Sequence, residues 1–140
     1  MYKELELNLA DGTSEKVAFK ATGTTAYRFK QLTHKDLMTC IINMMDATKD
    51  AEDDTQVAIA IASSGNLDSI SQLAYVMHRQ AEAKSISDLD DLTFESYLDW
   101  MDLFDSMEFL YKAVQLINIY MNNTETTVEP KKEDAQPKEE

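Results

Sequence analysis

Cysteine occurs once in the 140 residues, at Cys40, so no disulfide can form within the chain and a reducing compartment suits it. Only two histidines accompany it, and a closed zinc site would need carboxylates at unsuitable spacing. Glycine occurs three times. Gly12, Gly23 and Gly65 stand far apart, which excludes a glycine-rich phosphate loop. No apolar run approaches the roughly 20 residues of a membrane helix. The opening MYKELELNLADG lacks the apolar stretch of a secretory signal, so none is expected. Positive charge is scarce: 13 Lys and Arg face 26 Asp and Glu, for a net charge of −13. That balance disfavours direct binding to nucleic acid or to an anionic membrane, both of which repel it.

The few cations are unevenly placed. Residues 16–35 carry Lys16, Lys20, Arg28, Lys30 and Lys35 and no acid. One explanation is structural, since Lys16 and Lys20 would blunt an exposed edge strand. Another is that Arg28 and Lys30 face acids elsewhere in the fold, or on a second copy joined head to tail through a basic and an acidic patch.

The length suits a single domain with its own core. Residues 4–9 alternate, with Leu5, Leu7 and Leu9 on one side, and Val17 and Phe19 resume the pattern after the Asp11-Gly12 turn. Period two on both sides of a turn predicts a β-hairpin over 4–20. Two strands are marginal alone, so their apolar face must pack on helices or another subunit. A short helix is expected over 27–32. A second opens at Asp36, with Leu37, Ile41, Met44 and Met45 on one stripe. Residues 46–55 read as an acidic loop. In 56–65, Val57, Ile59 and Ile61 alternate as in a strand, whereas the alanines and Gly65 suit a short helix; both readings stand, helix being preferred. The next helix spans 68–84, with Ile70, Leu73, Ala74, Met77 and Ala81 inward.

Thr93 is placed to cap a further helix with Phe94, Tyr97, Leu98 and Met101 on its inner face. Asp105 and Glu108 have the spacing of a capping box. From there Phe109, Leu110, Ala113, Leu116, Ile117 and Tyr120 continue an apolar stripe to about residue 122. Residues 123–140 hold both prolines, many charges and one aliphatic residue, and are expected to be a disordered acidic and lysine-bearing tail. The expected fold class is α+β, mostly α: an N-terminal hairpin, then a bundle of four to five helices in a single domain over 1–122, the helical part being 24–122.

Candidate chemistry is sparse. A nucleophilic Cys40 would need His34 or His78 as its base, yet its place beside Ile41 in a helix suits a buried, inert thiol. Counting a calcium loop from Asp50 puts Ile61 at the position that requires a bidentate glutamate, and counting from Asp88 puts Asp99 there, with no central glycine in either. No enzyme activity, cofactor or metal is therefore expected. The eight methionines fall mostly at core spacing, although adaptable Met-rich surfaces also bind varied helices. Trp100 stands where it can be either an interface anchor or a core-edge residue.

The order of the pieces carries a resemblance. Phe19-Lys20-Ala21, then Gly23-Thr24-Thr25-Ala26-Tyr27-Arg28-Phe29-Lys30, then His34-Lys35-Asp36-Leu37, resembles the tail assembly chaperones of long-tailed phages and prophages of Gram-positive bacteria. Leu73-Ala74-Tyr75-Val76-Met77-His78-Arg79-Gln80-Ala81 is similar to a later helix of that family. So is the segment from Phe94 to Trp100 with Phe104, and Lys131-Lys132 completes the order. Residues 57–67 look like an insertion. The resemblance implies a non-catalytic chaperone of the host bacterial cytoplasm, absent from the mature virion. Such a protein binds the tape measure protein and assists recruitment of the tail tube protein. It also implies a longer frameshifted product. Tyr27, Arg28, Phe29, Lys30, Asp36, Leu37, Trp100 and Phe104 are the candidate partner-binding residues. The competing class is an acidic adaptor or DNA mimic that inhibits a nucleic-acid-binding protein, against which the continuous basic stretch argues.

Overall fold

The computed structural model describes the backbone of residues 1–135 and the side chains of residues 1–122. Strands β1 (Tyr2–Asn8) and β2 (Ser14–Lys20) form one antiparallel hairpin, with Leu5 opposite Val17 and Lys3 opposite Phe19. Gly12 takes φ 93° in the connecting turn, a left-handed value that side chains disfavour. Leu7, Val17 and Phe19 are buried. Leu5 and Leu9 are partly buried on the same face, and Leu9, just past the end of β1, donates its N–H to Thr13 O at 2.7 Å inside the turn and pairs with Phe104 in an isolated bridge.

Helix α1 (Thr25–Thr33) starts two residues earlier than expected because Thr25 is itself a tie point. Its hydroxyl accepts from Thr22 N–H and donates to Gln80 Oε1 at 2.6 Å, across 55 residues of chain. His34 ends the helix in the left-handed region. Asp36 caps α2 (Leu37–Thr48), its carboxylate accepting from Thr39 N–H and hydroxyl. Those bonds, with a smaller contribution from Lys30, hold the Asp36 carboxyl below its ordinary range.

The acidic loop is shorter than its composition suggests, because α2 continues to Thr48 and α3 (Asp54–Ser63) begins as soon as Asp53 can cap it. Asp53 accepts from Gln56 N–H at 2.8 Å, and Gly65 at φ 81° follows the helix end. Between those two signals the alanines favour helix over strand, which settles residues 56–63.

Helix α4 (Leu67–Glu82) is the centre of the molecule, with ten buried residues. One side meets the hairpin, α2, α3 and α6 through Ile70, Leu73, Ala74 and Met77, and the other meets a smaller cluster of Leu32, Tyr75, Val76, Leu89, Leu92 and Tyr97. Ala83 turns extended and stops the helix short of Lys84. A 3-10 turn (Ile86–Leu89) leads to α5 (Phe94–Met101), capped by Thr93 and Ser96 in a reciprocal box.

Two expectations here are corrected. The inner face of α5 is Tyr97, Trp100 and Met101, while Phe94 and Leu98 are exposed. The cause is specific pairing with α4: the Tyr97 hydroxyl bonds Ser71, and the Tyr75 hydroxyl donates to Ser96 at 2.7 Å. Nor do Asp105 and Glu108 close a capping box. Asp105 N–H donates to Asn8 O, and Glu108 accepts from Asn8 N–H, so both serve to clamp the end of β1. Helix α6 (Ser106–Ala135) buries Phe109, Ala113, Leu116 and Ile117 as expected and also Val114. Its backbone is described to Ala135, and the expected disordered tail over 123–140 runs on into residues 136–140, which lie outside the described residues.

Candidate functional site

The thiol of Cys40 is buried, and its one contact of note is Ser69 Oγ at 3.9 Å. His34 is exposed at the end of α1, while His78 places Nδ1 3.1 Å from Ala18 O and stacks on Trp100. Neither ring pairs with the thiol, so this arrangement supplies no activated cysteine. Among the described residues no group of three His, Cys, Asp or Glu is placed to hold a metal ion, and no helix is long and apolar enough to cross a membrane.

The candidate partner residues divide sharply. Phe29, Leu37 and Phe104 are core residues, too deeply buried to meet a partner in this conformation. Trp100 is half-buried and belongs to an aromatic cluster, its ring within 6.5 Å of Phe19, Tyr75, His78, Phe104 and Phe109. That answers its two readings in favour of the core edge. Asp36 is occupied as a cap. Tyr27 and Lys30 are exposed, and Arg28 lies over the Tyr27 ring while donating to Gln31. Of the five cations in 16–35, Lys35 pairs with Asp68 at 3.1 Å. The other four have no carboxylate within ion-pair distance among the described residues.

The motifs carrying the resemblance meet one another. Gln80, from the later motif, donates to the hydroxyls of Thr22 and Thr24 and accepts from Thr25, fastening the Gly-Thr-Thr connector onto α4. These residues are architectural: they orient α1 and the hairpin on the central helix.

Residue spacing did not locate the most conspicuous surface. Residues 57–62 of α3, Val-Ala-Ile-Ala-Ile-Ala, are apolar on all sides, which ordinarily marks a buried helix. Yet Ile61 alone among its residues is fully buried, and Ile59 is 60% exposed. Beside it on α6 stand Met107, 74% exposed, and Tyr111, 45% exposed. With Ala58, Ala62, Leu67, Leu110 and Val114 they line an open apolar groove of about 230 Å³. That is below the roughly 300–1,000 Å³ of small-molecule sites. Tyr111 and Val114 continue into a constriction with Asp54, Val57 and Asn118. Those last three also line a basin containing Met45, Glu52, Asp53 and Met121. The result is one trough along α3 and α6, apolar at one end and acidic at the other. The signal available in the sequence was the all-round apolarity of α3, masked there by the helix-or-strand ambiguity.

A second depression, between the end of α4 and the 3-10 turn, is lined by Arg79, Glu82, Ser87, Asp88, Asp90 and Asp91. Its cation is already engaged: Arg79 bonds Asp91 and holds that carboxyl below its ordinary range. Comparison with known proteins finds no matching protein-family description, no matching curated protein and no matching solved structure.

Proposed function

We propose that this protein is a non-catalytic tail assembly chaperone that binds a tape measure protein, keeps that long helical chain soluble, and assists tail tube assembly. The observation that carries the reading is the uncovered apolar trough between α3 and α6 on a chain of net charge −13. A chaperone of this kind needs apolar surface for its client and a charged body that keeps the pair dispersed. The motif order over residues 19–37, 73–81 and 94–104 supplies the specific family. A long coiled-coil-rich reading frame beside this one is the client that the proposal requires.

Coexpression tests it. With the full chain present, the soluble fraction of that tape measure protein rises severalfold over expression alone. An unchanged soluble fraction contradicts the chaperone reading. An acidic DNA mimic would behave differently, capturing a nucleic-acid-binding protein with an affinity that collapses as salt rises. Lys16, Lys20, Arg28 and Lys30, unpaired among the described residues, oppose that role because they place positive charge on the mimic's own surface.

A further inference from the structure

We infer that the α3–α6 trough docks an amphipathic helix of a partner chain, its apolar face against Ile59 and Met107 and its lysines or arginines against Glu52 and Asp54. This deepens the chaperone reading and rests on it, adding the class of client segment and its polarity.

Helices form both walls, and among the described residues no strand edge borders the trough, so the matching recognition mode is helix in groove rather than strand addition. Ten residues of α3 span roughly 15 Å, about three helical turns. A client helix with apolar residues three and four apart would place one per turn along that length. Charge fixes its direction. Glu52, Asp53 and Asp54 gather at one end; Lys49 lines the same basin but pairs with Asp46 at 3.6 Å, and among the described residues none of the three acids has a cation within ion-pair distance. A client end bearing lysine or arginine is attracted there, and an acidic end is repelled.

The chain's own exposed helices do not fit. On α2, exposed Met38 and Ile42 stand on a helix that carries no Lys or Arg to meet the acidic end. On α1, Tyr27 is the one large apolar side chain exposed, Phe29 and Leu32 being buried. On α5, exposed Phe94 and Leu98 lie among Glu95, Asp99 and Asp102, which the acidic end of the trough would repel. The occupant is therefore a different chain with a basic amphipathic helix.

The test uses the full chain and two labelled helical probe peptides, each with a leucine stripe, one ending in three lysines and its twin in three glutamates. Fluorescence anisotropy at low salt should give the lysine peptide an affinity about tenfold or more above its twin. Ile59→Asp and Met107→Asp, both on exposed side chains that the fold does not need, should each weaken binding of the lysine peptide about tenfold or more. Glu52→Lys with Asp54→Lys, leaving the cap Asp53 in place, should reverse the preference between the twins. Equal affinity for the twins, or binding indifferent to Ile59→Asp and Met107→Asp, overturns the proposal. So does a dimer of the free chain that Ile59→Asp converts to monomer in light scattering, because a second copy is then the occupant. The outcome separates from that of the chaperone reading. If coexpression raises client solubility and Ile59→Asp leaves that gain intact, the trough assignment fails and the chaperone stands. If the peptide preferences hold and coexpression changes nothing, the chaperone fails and the trough stands.

Discussion

Phe19→Ala should lower the unfolding free energy by about 3–5 kcal/mol, the range for truncating a buried aromatic side chain. Phe19 is 1% exposed and stands edge-on to both His78 and Trp100, at 6.1 and 6.5 Å between ring centroids. It holds β2 on α4, and a hairpin of two strands has little stability of its own. The vacated space is bounded by the rigid face of α4 and by paired strands, so collapse around it is limited and the full cavity cost is expected. For a chain of this size the loss corresponds to a fall of roughly 10–20 °C in Tm. Thermal unfolding followed by circular dichroism measures it. The single tryptophan, Trp100, gives a second reading, since its emission should shift as a ring neighbour is lost. A change below about 1 kcal/mol, the scale of an ordinary surface substitution or less, would mean that the hairpin is not anchored through Phe19.

Tyr75→Ala should have a comparable cost, about 3–5 kcal/mol, by a different route. Tyr75 is 2% exposed and centres the smaller cluster, its ring 5.7 Å from Tyr97 and 5.4 Å from Trp100. Its hydroxyl accepts from Arg79 at 2.8 Å and donates to Ser96, joining α4 to the start of α5. Tyr75→Phe keeps the ring and removes only the hydroxyl, so it should cost about 1–3 kcal/mol, through Ser96 and Arg79 losing a partner. The ratio between the two variants, read from urea melts, separates packing from hydrogen bonding. Equal losses would contradict the packing role given to the ring.

Which parts of this architecture were legible depended on whether local pattern and tertiary demand agreed. The hairpin was legible because alternation and the Asp11-Gly12 turn are both local signals, and Leu7, Val17 and Phe19 are buried accordingly. Helix α4 was legible because Ile70, Leu73, Ala74 and Met77 repeat at helical spacing, and all four are buried. The face of α5 was misread because five apolar residues compete there. What selects Tyr97 over Phe94 and Leu98 is a hydroxyl pair with Ser71, a residue 26 positions away. Likewise, Asp105 and Glu108 have the local spacing of a capping box, but Asn8 offers both partners across the fold.

The candidate site was less legible still. The sequence singled out Tyr27 to Lys30 because charge asymmetry is visible in composition. It also named Phe29, Leu37 and Phe104, whose apolar character serves the core instead. The trough needs two segments about fifty residues apart in sequence to lie side by side, and no periodicity reports that. One wall belongs to residues 57–67, the stretch outside the family resemblance, so motif order pointed away from it. Its other wall exposes Met107 and Tyr111.

Hydrogen exchange on the full chain, free and coexpressed with the tape measure protein that the proposed function requires, is the decisive measurement, since amide protection reports which segments a bound partner covers. New protection is expected over residues 54–63 of α3 and 106–115 of α6, with α1 exchanging as in the free chain. Protection confined to α1 and the hairpin, with α3 unchanged, would contradict the trough assignment.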